Sequence, residues 1–208
     1  SGENEITDNH FLLNTKEIPV GENLSIQILT TDGINANESQ IVNFSVLPYV
    51  VTQGGVCTPA AATFSNIQDA INSGNGATVI VCPGVYNENI VINVSMFLEA
   101  FSNNTTDTVI NPLDSSKNVI GVSGVNRVII NGFTINGSSN SGIHISNSTS
   151  VGIHDNLITN NTLGVKLSNV DVFSLTGNVI ILNGIAMDTF NATFGDIWEN
   201  TILYSNSG

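Results

Sequence analysis

The chain has 208 residues, of which 41% are hydrophobic and only 10% charged, with a formal net charge of −13. Its four cationic side chains, Lys16, Lys117, Arg127 and Lys166, cannot neutralise a run of phosphates. That excludes nucleic acid as a partner and disfavours anionic membranes and polyanionic polysaccharides. No run of about 18 apolar residues occurs, so no membrane insertion is expected, whereas an acidic surface can collect divalent cations such as calcium.

The chain opens at Ser1-Gly2-Glu3 with no signal sequence, which reads as a mature or trimmed form. Residues 1–52 read as strands joined by polar turns. Leu24-Ser25-Ile26-Gln27-Ile28-Leu29 alternates with period two, Thr31-Asp32-Gly33 signals a turn, and Ile41–Val46 is a second strand. These strands resemble part of an immunoglobulin-like sandwich. A whole sandwich needs about seven strands and ~100 residues, so the segment is partial, to be completed by a longer precursor or another chain.

Residues 53–77 are expected to be a linker, with Gly54-Gly55, followed by a short helix. Phe64, Ile67, Ala70 and Ile71 recur at helical spacing and Gly74 ends the run. Cys57 and Cys82, the only cysteines, flank this helix and the strand Thr78–Val81. A disulfide between them would contribute ~3 kcal/mol by loop closure, and two separate buried thiols are the alternative. The run from Phe64 through Pro83-Gly84-Val85-Tyr86 to Ile92 is similar to the entry segment of pectate-lyase-like β-helix proteins. That resemblance implies a capping helix and then the first coil of a right-handed parallel β-helix.

Residues 78–208 repeat with a period of 22. Asn156, Asn178 and Asn200 keep it, as do Ile158, Ile180 and Ile202, and Asn161 and Asn183. Three short strands and their turns fit that length. Alternate apolar residues would point inward: Ile143, Ile145, Ile153 and Ile158 in one coil, then Val165, Leu167, Leu175 and Ile180 in the next. Stacked coils at ~4.8 Å would bury a continuous column. The Asn156–Asn178–Asn200 column is read as a structural ladder, because Asn tolerates left-handed backbone at a corner and its amides can bond up the stack. The fold class is therefore all-β: a right-handed parallel β-helix with a capping helix, preceded by a few immunoglobulin-like strands.

Ten Asn-X-Ser/Thr sequons occur, at Asn23, Asn37, Asn43, Asn93, Asn103, Asn104, Asn136, Asn147, Asn160 and Asn191. An Asn-rich and Ser/Thr-rich chain makes some by chance, but this density points to covalent N-glycans and export. The chemistry of β-helix enzymes is hard to find. Only Arg127 and Lys166 offer a base on the mature coils, and Asp155, Asp171, Asp188 and Asp196 are scattered rather than paired. His144 and His154 should face outward on different faces, which argues against a shared metal. Trp198 and Tyr204 either stack on sugar rings or cover a hydrophobic end.

The entry segment, the "GIHIS" and "HDNLI" steps and the sequon density together resemble the β-helix repeat proteins of archaeal cell surfaces, of the surface-layer or sheath type. That resemblance implies an extracellular structural glycoprotein with no catalytic residues and no cofactor. Its partner would be further copies of itself, joined head to tail by strand or coil completion. A polysaccharide-binding or polysaccharide-cleaving β-helix module, or an adhesin, is the alternative.

Overall fold

The computed structural model describes residues 21–26, 29–31, 36–38, 42–55, 57–73, 78–102 and 104–203. The chain divides into two compact units, Ser1–Val46 and Leu47–Gly208. In the first, β1 (Gly21–Ile26) pairs antiparallel with β4 (Val42–Val46), and β2 (Leu29–Thr31) pairs antiparallel with β3 (Ala36–Glu38). The expected turn at Asp32-Gly33 lies outside the described residues.

The second unit is a parallel β-helix with three faces. Face 1 stacks β9 (Ile90–Ile92), β12 (Ile120–Ser123) and the first halves of β15 (Ser141–His154), β17 (Leu163–Thr176) and β19 (Ile185–Trp198). Face 2 stacks β5 (Tyr49–Val51), β7 (Thr78–Val81), β10 (Met96–Ala100), β13 (Val128–Asn131) and the second halves of the same long strands. Face 3 is a six-stranded sheet of β8 (Gly84–Asn87), β11 (Thr108–Asn111), β14 (Thr134–Asn136), β16 (Leu157–Thr159), β18 (Val179–Ile181) and β20 (Thr201–Leu203). Sequence period and structural register coincide in the last coils, where Leu157, Val179 and Thr201 stack 22 residues apart. Nearer the start the repeat lengthens: Phe97 stacks on Ile129, 32 residues on, because the 3₁₀ turn Thr105–Asp107 and the loop 112–119 are inserted there.

The inward residues expected for two coils, Ile143, Ile145, Ile153, Ile158, Val165, Leu167, Leu175 and Ile180, are all at most 1% exposed. Tyr86, Ile110 and Ile135 extend the face 3 column below Ile158. Tyr86 is wholly buried, donates its hydroxyl proton to the Cys82 carbonyl at 2.9 Å, and has its pKa pushed up to about 12 by burial and by nearby Glu88.

The domain boundaries fall earlier than the composition suggests. Tyr49–Val51, expected in the first segment, pairs with β7 and with β6 (Ala62–Phe64), so the supposed linker contains a β-helix strand. Phe64, read as the first helical position, lies in β6 with its ring edge-on to Tyr49. The helix α1 (Ile67–Ser73) buries Ile67, Ala70 and Ile71 against the first coil. Its first free N–H groups, those of Ile67 and Gln68, both donate to the Glu88 carboxylate, at 2.8 and 2.9 Å. Gln68 then behaves as a single-residue strand. Its carboxamide accepts from Val91 N at 2.7 Å and donates to Val91 O at 3.0 Å, which occupies the free edge of β9.

The corners need left-handed backbone, and the residue that supplies it differs from the expectation. Gly132, Asp155, Gly177 and Glu199 have φ of 88°, 51°, 67° and 55°, each directly before Phe133, Asn156, Asn178 or Asn200. The ladder asparagines are absent from the left-handed set and instead satisfy the backbone that the corner leaves unpaired. Asn178 Nδ2 donates to Thr176 O, Ile153 O and Asn200 Oδ1, and its Oδ1 accepts from both Asn156 N and Asn156 Nδ2. Asn161 and Asn183 do the same between faces 3 and 1. Buried polar groups cost little when every valence is met, which is why Asn156, Asn161, Asn178 and Asn183 sit 0–4% exposed.

Candidate functional site

The outer surface holds the polar chemistry. Cys57 and Cys82 form a disulfide with sulfurs 2.07 Å apart, joining the segment before β6 to the end of β7. Among the sequons, Asn93, Asn104, Asn147, Asn160 and Asn191 are exposed and Asn136 is half-buried. Asn23, Asn37 and Asn43 lie on β1, β3 and β4, and Asn103 lies outside the described residues, as does Tyr204.

Two outward amide ladders run through these sites. Asn191 Nδ2 donates to Asn169 Oδ1 at 3.0 Å and Asn169 Nδ2 to Asn147 Oδ1 at 3.1 Å. All three have φ between 48° and 55°, so here, at the corner between faces 1 and 2, asparagine does take the left-handed role. The second ladder descends from Asn160 through Asn136 and Asn111 to Asn87, with bonds of 2.9, 3.0 and 3.3 Å. Above the bottom rungs Asn147 and Asn87, which only accept, each carboxamide spends one N–H on its ladder and has a second to offer.

Face 1 carries an outward column absent from the sequence reading. His144, Lys166 and Asp188 stack in register on consecutive coils, beside Ser146 and Ser168. The signal was the same 22-residue period, read at 144, 166 and 188. Burial, and then the Lys166 ammonium, holds the His144 pKa below its ordinary 6.5, and its Nε2 is buried without a partner. His154 lies on face 2, folded over Gly152, where an added Cβ would meet its ring at 2.8 Å. Burial lowers its pKa, with Asp155 opposing. The two histidines occupy different faces, as expected. Arg127 projects outward with its guanidinium 4.7 Å from the Phe97 ring centre, a cation–π contact that accounts for this lone cation structurally. The four aspartates stay apart: Asp188 registers with Lys166, Asp196 with Ser174, Asp171 with Thr149 and Thr193, and Asp155 sits at a corner. No group of three or more His, Cys, Asp or Glu side chains gathers among the described residues. Trp198 lies on the last described rung, 56% exposed near exposed Phe194 and Ile197.

No protein-family model matches the chain. Over 125 residues, 55% of its length, the chain is 34% identical to a cell surface glycoprotein of Methanothermus fervidus, and the match spans 20% of that protein. A crystal structure from Parabacteroides merdae, provisionally named a glycosyl hydrolase, aligns with 64% of this chain and 85% of its own at 12% identity. Its TM-score is 0.28, so the likeness carries no argument about activity. No described helix is long and apolar enough to cross a membrane.

Proposed function

We propose that the chain is a structural part of a cell-surface glycoprotein, a rigid β-helical spacer whose outer corners carry N-linked glycans. The observation that carries the reading is the 34% identity to a cell surface glycoprotein, and the sequons on exposed corners agree with it. The design suits the role. The apolar column needs no charge to hold it, and the ladders fix the coil spacing, which leaves the outer positions free for decoration. The chain corresponds to about a fifth of that relative's length, so it would act as one module among others. Self-assembly into an archaeal-type layer, sheath or filament belongs to this reading. Electron microscopy of the native material with intact-mass measurement tests it. Ordered arrays and mass above that of the polypeptide support it, and unglycosylated monomers sink it.

The second reading is a polysaccharide-binding or polysaccharide-cleaving module, favoured by the His144–Lys166–Asp188 column alone. Polysaccharide cleavage or retention that is abolished by His144→Ala and Lys166→Ala would establish it.

A further inference from the structure

The geometry points to unequal use of two neighbouring sequons: in the folded protein Asn160 carries a glycan and Asn136, one coil earlier, stays bare. This rests on the glycoprotein reading above. A sequon is read as a pair, the asparagine amide and the hydroxyl two residues on, so both must be reachable together.

At Asn160 they are. Asn160 sits at a left-handed corner with φ 54°, and both it and Thr162, its hydroxyl partner, are exposed. Its one recorded side-chain bond, to Asn136 Oδ1, leaves a second N–H free. Asn93 is similarly open, exposed together with Ser95.

At Asn136 they are not. The hydroxyl belongs to Ser138, which is 2% exposed and tied into the corner by hydrogen bonds from its hydroxyl and its backbone. Ser138 Oγ donates to Lys117 O at 2.7 Å and accepts from Asn140 N at 2.9 Å, while Ser138 N donates to Asn161 Oδ1 at 2.9 Å. Asn161 is itself locked to Asn183 one coil on. Presenting Ser138 therefore means opening the corner and disturbing a buried ladder. Asn136 is also bonded on both sides, to Asn111 and by Asn160, so its carboxamide serves the stack.

Site-resolved glycopeptide mapping of the protein isolated from the cells that make it tests the assignment, with the Asn160→Gln variant alongside. Occupancy at Asn136 should fall about tenfold or more below that at Asn160, as expected when reaching the hydroxyl costs one or two net hydrogen bonds. In Asn160→Gln, Asn136 should remain bare. Comparable occupancy at the two sites overturns the assignment while leaving the glycoprotein reading intact. Occupancy that moves to Asn136 in the variant also overturns it, since crowding rather than a closed hydroxyl would then be the cause. A protein with no glycan at any site overturns both.

Discussion

Replacing Asn178 by alanine removes one carboxamide from the middle of the buried column. The loss takes five hydrogen bonds with it and strands two backbone groups, Asn156 N and Ile153 O, while Thr176 O keeps the Asp155 N–H as donor at 3.0 Å. A buried group left unsatisfied costs about 1–3 kcal/mol, so about 2–6 kcal/mol is expected in total for the two. Asn169→Gly is the matched control. It breaks two exposed amide bonds at the same period but keeps the left-handed backbone accessible, so a change within about 0.5 kcal/mol is expected. Chemical denaturation followed by circular dichroism reads both variants. Stacked repeats need not unfold in one step, so amide exchange at Asn156 should be measured too, where protection should fall in Asn178→Ala alone. If Asn178→Ala destabilised the protein no more than Asn169→Gly, the inner ladder would not be what holds the coils in register.

Gln68→Ala uncovers the β9 edge at Val91 and should cost about 1–2 kcal/mol, with light scattering showing new self-association; a monodisperse variant of unchanged stability would dismiss the capping role. Val172 holds φ 55°, a conformation β-branched residues resist, so Val172→Gly should stabilise by about 1 kcal/mol in thermal melts, and a loss would refute the strain. Acid should weaken the fold in a defined window. His144 and His154 have folded pKa values depressed below 6.5 by burial, so their contribution is full above the unfolded value and is lost as pH falls through the folded ones. His154→Gln should flatten part of the decline in stability just below pH 6.5, and an unchanged profile would remove His154 from the account.

The repeated part of the fold was open to reading because a β-helix writes its geometry as a period. Ile158, Ile180 and Ile202 announce a column directly, and the inner asparagines keep the same step. What was hidden depends on contacts without a period. Nothing in the sequence marks Gln68 as a strand-edge mimic or Glu88 as the anchor of α1, since each acts across more than 20 residues on a single coil. The left-handed corners were assigned to the asparagines because residue preference favours Asn, yet the ladder needs its side chain aimed inward, and so Asp155, Gly177 and Glu199 take the turn. The strand at Tyr49–Val51 escaped because it joins the first coil ahead of the helix, where no repeat yet exists. For the site, sequon positions were plain, but accessibility was not. Ser138 and Thr162 look alike as letters and differ only once the coil is closed.

Protease shaving of intact cells, followed by mass spectrometry of the released peptides, tests the central claim most directly. A surface glycoprotein should yield peptides from Leu47–Leu203 without lysis, with sequon-containing peptides shifted upward by glycan mass. Peptides that appear only after lysis, at their bare polypeptide masses, would contradict it.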